Sequence, residues 1–346
     1  MVILHTADLH LTSKEPSRLK VLEWIIDKAN ASNVDCIIIA GDLFDSDTEA
    51  TILRTEVRRI FQRSSSRLLL LPGNHDVESY GINYDYGENV HKCTRRPFEQ
   101  FIINDITFVA VPFQPTKFSE CVIDLSENPD VFIAHGTLCD LSILPVLNSE
   151  DIGYMPIYPP DLKNHCRIAL LGHIHSAYLE LDYDKTKIIY PGAPISLNTK
   201  CRTPRKISLI EIDKKKIVVN SIEVDIAQFW KEMSYFVFPG NEEKVLNQIE
   251  QELNGFVGEN ILPSITVQGF IAGNEGEFKK EIIEIIERYQ KDFMEIALDC
   301  NEIQSWDRVL KNPFVRKFVE RTQHLPDELR MKIFQLIFPH FVGMVC

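Results

Sequence analysis

The chain has 346 residues, 45% of them hydrophobic, with 37 basic against 50 acidic side chains and a formal net charge of −13. That is enough for a sizeable core and two or three domains, and the acidic balance argues against broad, nonspecific nucleic-acid binding while leaving room for a local DNA contact. It has no run of about 18 apolar residues, which argues against a membrane span, and the opening Met1-Val2-Ile3-Leu4 reads as a strand rather than a signal peptide. The eight cysteines are scattered with no C-x-x-C pair, as expected of reduced, mostly buried thiols in a cytoplasmic protein.

In chain order, residues 2–6 read as a buried strand and residues 17–31 as a helix, with Leu19, Leu22, Ile25, Ile26 and Ala29 on one face. Residues 35–40 form a second buried strand, 48–63 a helix and 67–71 a third strand. This β-α-β-α-β order predicts parallel strands with crossover helices. Residues 78–96 read as an irregular loop. Strands are expected at 106–111, 130–134 and 167–171, then hairpin-like strands at 177–181, 187–190, 206–212 and 217–224. A composition break near 225–235 is followed by a strand-helix-strand-helix-strand pattern up to about residue 298. Residues 301–346 read as helical, with an apolar stripe of Phe314, Val315, Phe318 and Val319 and a second patch around Ile333 to Phe338. The expected division is therefore 1–228, 229–300 as a small α/β cap, and 301–346 as a helical C-terminal segment.

Five short blocks follow buried strands: Asp8-Leu9-His10, Gly41-Asp42, Gly73-Asn74-His75-Asp76, His135-Gly136 and Gly172-His173-Ile174-His175. Ligands at strand ends can converge on one point. Residues i and i+2 of an extended segment point the same way, so Asp8 with His10, and His173 with His175, can each serve one site. Oxygen and imidazole donors without thiolates suit a pair of hard or borderline divalent cations, and two such ions about 3.5–4 Å apart can activate water and neutralise a phosphodiester. A single such pair of residues carries little information; five in this arrangement carry a great deal.

The blocks resemble the calcineurin-like metallophosphoesterase superfamily, with its D-x-H, G-D, G-N-H-[DE], H and G-H-x-H pattern, over residues 1 to about 215. The resemblance implies an α/β fold: a β-sandwich flanked by helices. Ile3 to Leu11, Ala40 to Asp45 and Tyr190-Pro191-Gly192-Ala193-Pro194 are similar to the SbcD / Mre-eleven branch of DNA-repair nucleases, which works with an SbcC-like, SMC-type coiled-coil ATPase and commonly dimerises. By resemblance, Asp8, His10, Asp42 and His175 hold one metal, and Asp42, Asn74, His135 and His173 the other, with Asp42 bridging. Manganese is the implied metal; the donor set also accepts iron or zinc. His75 is implied to contact the scissile phosphate and assist the leaving group. Asp45 is expected either to hydrogen-bond His75 or to cap the next helix.

Asp76 is expected to hold its loop through backbone N–H groups, and His5 to be a packed histidine of the core or of the surroundings of the metals. The loop Gly192-Ala193-Pro194-Ile195-Ser196 is either a border of the substrate groove or an ordinary turn. The basic residues Lys200, Arg202, Arg205 and Lys206 beyond it, and Arg54, Arg58, Arg59, Arg63 and Arg67 earlier, are either solvated faces or phosphate contacts; the later cluster is the better candidate. Gly192, Ser196 and Arg202 are thus the substrate-binding candidates.

Three functions fit. The first is a DNA exonuclease and endonuclease, the nuclease subunit of an SbcCD-like repair or processing complex. The second is a small-molecule phosphodiesterase or phosphatase on the same core, favoured by the negative charge. The third is a non-enzymatic metal-bearing scaffold, disfavoured because every ligand position and His75 are retained.

Overall fold

The structure, a computed structural model, describes residues 1–147, 152–162 and 165–345. The chain divides into two compact units, Met1–Phe229 and Trp230–Cys346.

The first unit is built on two six-stranded sheets. Strands β1 (Val2–Thr6), β2 (Cys36–Ala40), β3 (Arg67–Leu71) and β4 (Val90–Lys92) run parallel, joined by helices α1 (Ser17–Ala31) and α2 (Asp47–Phe61). The second sheet contains β5 (Glu99–Ile103), β6 (Ile106–Val111), β7 (Val131–His135), β8 (Ile168–Gly172), β9 (Leu179–Tyr183) and β10 (Thr186–Tyr190), in the order β5-β6-β7-β8-β10-β9. Strands β11 (Lys206–Ile212) and β12 (Ile217–Glu223) return to the first sheet, β11 lying antiparallel to β1.

Strands β1 to β3 read as continuous apolar runs because both faces are buried. Leu4, Ile37, Ile39, Leu68 and Leu70 pack with Leu22, Ile25, Ile26, Val57 and Phe61 of the two helices. Their alternates Ile3, Cys36, Ile38, Leu69 and Leu71 pack with Phe108, Ile133, Ile168 and Leu170 of the second sheet. The result is the helix-flanked β-sandwich expected from the sequence. Two strands of this unit were not expected, and a third, Ile303–Ser305, falls in the segment 301–346 read as helical. β4 lies inside the segment read as a loop, and β5 alternates between half-buried and exposed residues at a sheet edge; neither has the apolar run that marks an interior strand.

In the second unit, β13 (Phe229–Val237) and β14 (Ile261–Ile271) share a sheet with β15 (Ala297–Asp299) and β16 (Ile303–Ser305), both paired parallel to β14. Helices spanning Glu242–Phe256 and Glu275–Tyr289 bury Val245, Ile249, Leu253, Phe278 and Ile282 against this sheet. Helices spanning Pro313–Thr322 and Asp327–Val345 follow. They contribute Val315, Phe334 and Phe338 to a cluster with Phe238 and Phe270, so the sequence's apolar stripes are partly core, while Phe314 and Leu336 stay 59% and 78% exposed. No helix among the described residues is long and apolar enough to cross a membrane.

Candidate metal centre

Register brings the blocks together. Thr6 pairs with Ile39 and Ile39 with Leu70, so β1, β2 and β3 end level and deliver Asp8, Asp42 and Asn74 to one edge. In the second sheet His135 pairs with Gly172, which sets His173 beside it. The chain turns sharply where each strand ends. Asp8, His10, Asp42 and His173 all take positive φ (58°, 45°, 49° and 104°), a region disfavoured for side-chain-bearing residues though visited by Asp and His more than most. Backbone bonds from Asp8 N to Gly41 O (3.1 Å), His10 N to Asp42 O (3.0 Å) and Leu11 N to Leu43 O (2.9 Å) lock the first two loops to each other. Gly41 and Gly73 allow the close approach: a Cβ on Gly41 would lie 2.0 Å from His135 Nδ1, and one on Gly73 2.1 Å from Asp42 Oδ1.

All seven sequence-read ligands converge. Asp8, His10, Asp42 and His175 form one group and Asp42, His135 and His173 another, with Asp42 common to both. In the first, His10 Nε2 is 3.2 Å from His175 Nε2 and 3.7 Å from Asp42 Oδ2, and His175 Nε2 is 3.6 Å from Asp8 Oδ1. In the second, Asn74 Oδ1 lies 3.0 Å from His135 Nε2 and 3.1 Å from His173 Nδ1, and His135 Nε2 is 3.2 Å from Asp42 Oδ2.

The donor chemistry fits divalent cations. His135 Nδ1 sits 2.9 Å from the Ala40 carbonyl, which can only accept, so Nδ1 carries a proton and Nε2 is the nitrogen left to serve a cation. Asp42 Oδ2 is buried and makes no hydrogen bond. Burial would lower His135, yet the carboxylates of Asp42 and Asp8 push it up to about 9. Against the upward pull of burial, His135 and His10 hold the Asp42 carboxyl below its usual range. The pocket therefore favours positive charge amid converging lone pairs, the condition a cation relieves.

His75 is exposed beside this centre, with Nδ1 3.2 Å from the Asp45 backbone carbonyl, an acceptor that leaves Nε2 as the free-facing nitrogen. The Asp45 carboxylate does not engage His75 as the sequence suggested; it faces His10 Nδ1 at 3.3 Å and Arg18 at 4.0 Å. Nor does Asp45 cap α2: the Ser46 hydroxyl accepts from Glu49 N. Asp76 does hold its loop, accepting from Gly73 N (2.9 Å), Phe44 N (3.1 Å) and Tyr80 OH (2.5 Å). A cleft of about 630 Å³ opens over the centre, lined by His10, Arg18, Asp45, His75, Tyr154 and Asn198 among others.

Residues 1–186 match the family model for calcineurin-like phosphoesterases. The chain belongs to the calcineurin-like phosphoesterase family. Members of that family bind a pair of divalent metals, in keeping with the two ligand groups. The phosphoesterase is 38% identical over 85 residues to the SbcD component of the nuclease SbcCD of Escherichia coli (strain K12), a match spanning 22% of this chain and 21% of that relative. It is 23% identical over 341 residues to the DNA double-strand break repair protein Mre11 of Saccharolobus solfataricus, covering 90% of this chain and 82% of the relative. Among solved structures it is similar to an archaeal phosphodiesterase at 17% identity, with a TM-score of 0.35, over 64% of this chain and 100% of the other.

Around the phosphoesterase centre, the candidate substrate loop is mixed. Gly192 has φ +71°, and Leu197 and Asn198 beyond it reach the cleft. The Ser196 hydroxyl donates to Gln228 O at 2.6 Å, and Arg202 is exposed, with Nε 3.4 Å from Thr199 O. Arg205, grouped by sequence with the phosphate-contact candidates, is instead 1% exposed and buried among backbone carbonyls. Of the earlier basic cluster, Arg58, Arg59 and Arg63 are held in surface ion pairs with Asp85, Glu56, Glu23 and Asp27. Sequence reading missed Arg18 and Tyr154, the latter with its ring tilted against that of His173 at 5.2 Å; neither lies in a motif, and only the fold brings them to the cleft. A further group, His91, Cys93 and Glu99, stands apart, with His91 Nε2 2.8 Å from Glu99 Oε1, an ordinary ion-pair contact.

Proposed function

We propose that this phosphoesterase is a two-metal DNA nuclease, with exonuclease and endonuclease activity, acting as the nuclease subunit of a complex with an SbcC-like coiled-coil ATPase. The observation that carries the hydrolytic part is the sharing of Asp42 between two ligand groups. Asp8, His10, Asp42 and His175 would hold one ion and Asp42, Asn74, His135 and His173 the other; manganese is the first choice and iron or zinc the alternatives. Bound there, the pair supplies an activated water and neutralises the phosphate.

The chain's own residues do the rest. His75 reaches into the cleft with its Nδ1 on the Asp45 carbonyl, so Nε2 is the atom positioned to contact the phosphate and give a proton to the leaving oxygen. Asp45, through its carboxylate on His10 and its carbonyl on His75, positions both rings and acts as a positioning residue. Leu197, Asn198 and the exposed Arg202 would border the bound strand, with Gly192 and Ser196 shaping the loop.

Similarity to the SbcD and Mre11 proteins supports DNA as substrate and the ATPase as partner. Residues 229–300 would form a cap over the DNA, and the exposed Phe314 and Leu336 would be docking points for the ATPase. A homodimer is part of the same reading. The net charge of −13 favours the alternative, a small-molecule phosphodiesterase. Manganese-dependent cleavage of a labelled DNA hairpin separates the two, whereas turnover of an aryl phosphodiester is expected of both.

A further inference from the structure

Two buried arginines outside the five blocks reach the backbone of two ligand histidines. Arg205 (1% exposed) donates from Nη2 to His175 O at 2.6 Å, from Nη1 to Ser176 O at 3.0 Å and from Nε to Ala193 O at 2.8 Å. It thereby ties the His173–His175 loop to the loop after Gly192, where Ala193 N also donates to His175 O at 3.1 Å. Arg18 (9% exposed), at the start of α1, donates from Nη1 to His10 O at 2.6 Å. Its Nε and Nη2 grip the Glu15 carboxylate at 3.0 and 2.7 Å, which fixes the plane of the guanidinium.

The two carbonyls belong to facing residues. His10 and His175 meet Nε2 to Nε2 at 3.2 Å, and His10 has a left-handed backbone, φ 45°. The left-handed backbone of His10 persists only where its surroundings fix it, and its carbonyl is one of the points fixed. In the other ligand group His135 lies within the ladder of β7 and β8, and His173, on the loop Arg205 ties, is fixed at its own N–H, which donates to Asp8 Oδ1 at 3.0 Å. A guanidinium offers several donors in a rigid plane, which a lysine ammonium cannot reproduce.

We propose that Arg18 and Arg205 are paired positioning residues that clamp the His10 and His175 carbonyls and so set the affinity of one of the two metal ions, the one held by Asp8, His10, Asp42 and His175. The inference rests on the two-metal reading given above.

Manganese titration of the full chain, with free ion counted by electron paramagnetic resonance, tests it on wild type, Arg18→Lys, Arg205→Lys and the surface control Arg63→Lys. Two ions are expected to bind wild type and the control. In either clamp variant one ion should weaken by about 10-fold or more and the other should keep its affinity, and the metal-free thermal melt of Arg18→Lys should stay close to wild type. Unchanged affinities in both clamp variants, or equal weakening of both ions, would overturn the clamp. If Arg205→Lys does not fold, Arg18→Lys decides alone by the same criterion. Fewer than two ions on wild type would instead sink the two-metal reading itself.

Discussion

Asp8, His10, Asp42 and His173 hold left-handed backbone conformations that cost a side-chain-bearing residue about 1–3 kcal/mol each. Such a concentration at one site is offset by the hydrogen bonds that lock the loops, and it aims four donors at one place. The five blocks disclosed which side chains converge, because Asp, His and Asn after apolar strands have few other uses in that pattern. It did not disclose Asp45 correctly, because spacing cannot distinguish a carboxylate contact from one made by the same residue's carbonyl. His75→Ala should retain manganese binding and lose about 100- to 10,000-fold in phosphodiester turnover; steady-state kinetics beside a metal titration check this, and undiminished turnover would remove His75 from the chemistry. His5 is a second test. It is fully buried, neither ring nitrogen has a hydrogen-bond partner, and burial takes it from 6.5 down to about 3. The unfolded chain then binds a proton that the folded one refuses, so His5 stabilisation is intact above pH 6.5 and falls as the pH drops toward 3. The loss should reach about 2 kcal/mol by roughly pH 5. Denaturant titrations across that window should show a flatter pH dependence for His5→Leu than for wild type.

At the scale of elements, strands β1, β2 and β3 were legible because burial on both faces leaves uninterrupted Ile, Leu and Val, and helices α1 and α2 because their apolar faces repeat. The edge strands β4 and β5 were not, since one face is solvated and their pairing depends on distant strands. The C-terminal helices show the same limit. Their apolar residues looked equivalent in sequence, but Val315, Phe334 and Phe338 are buried against Phe238 and Phe270 while Phe314 and Leu336 are exposed. Removing residues 301–346 would strip that cluster and β16 from the second unit, so it is a poor test of docking. Phe314→Asp combined with Leu336→Asp is better: exposed substitutions shift stability by only about 0.5 kcal/mol each. The double variant should keep its melting temperature within a few degrees and lose co-purification with an SbcC-like ATPase. Co-purification at the wild-type level would exclude these two side chains as the docking points.

For the molecule as a whole, the first unit presents a family centre in a cleft. The family was legible because five blocks in order are hard to assemble otherwise. The arginine contacts to the His10 and His175 carbonyls were not, because Arg18 and Arg205 carry no motif of their own and only the fold brings them to those carbonyls. Net charge is a property of the entire chain and says little about one cleft, so −13 weighs less than the local geometry. The central claim is manganese-dependent hydrolysis of DNA by this centre. The most direct measurement is cleavage of an end-labelled DNA hairpin by the purified full chain with manganese, alongside Asp42→Asn and a chelated sample. The account predicts cleavage by wild type alone, with Asp42→Asn and the chelated sample inactive; an intact hairpin from a wild-type preparation that turns over an aryl phosphodiester would contradict it.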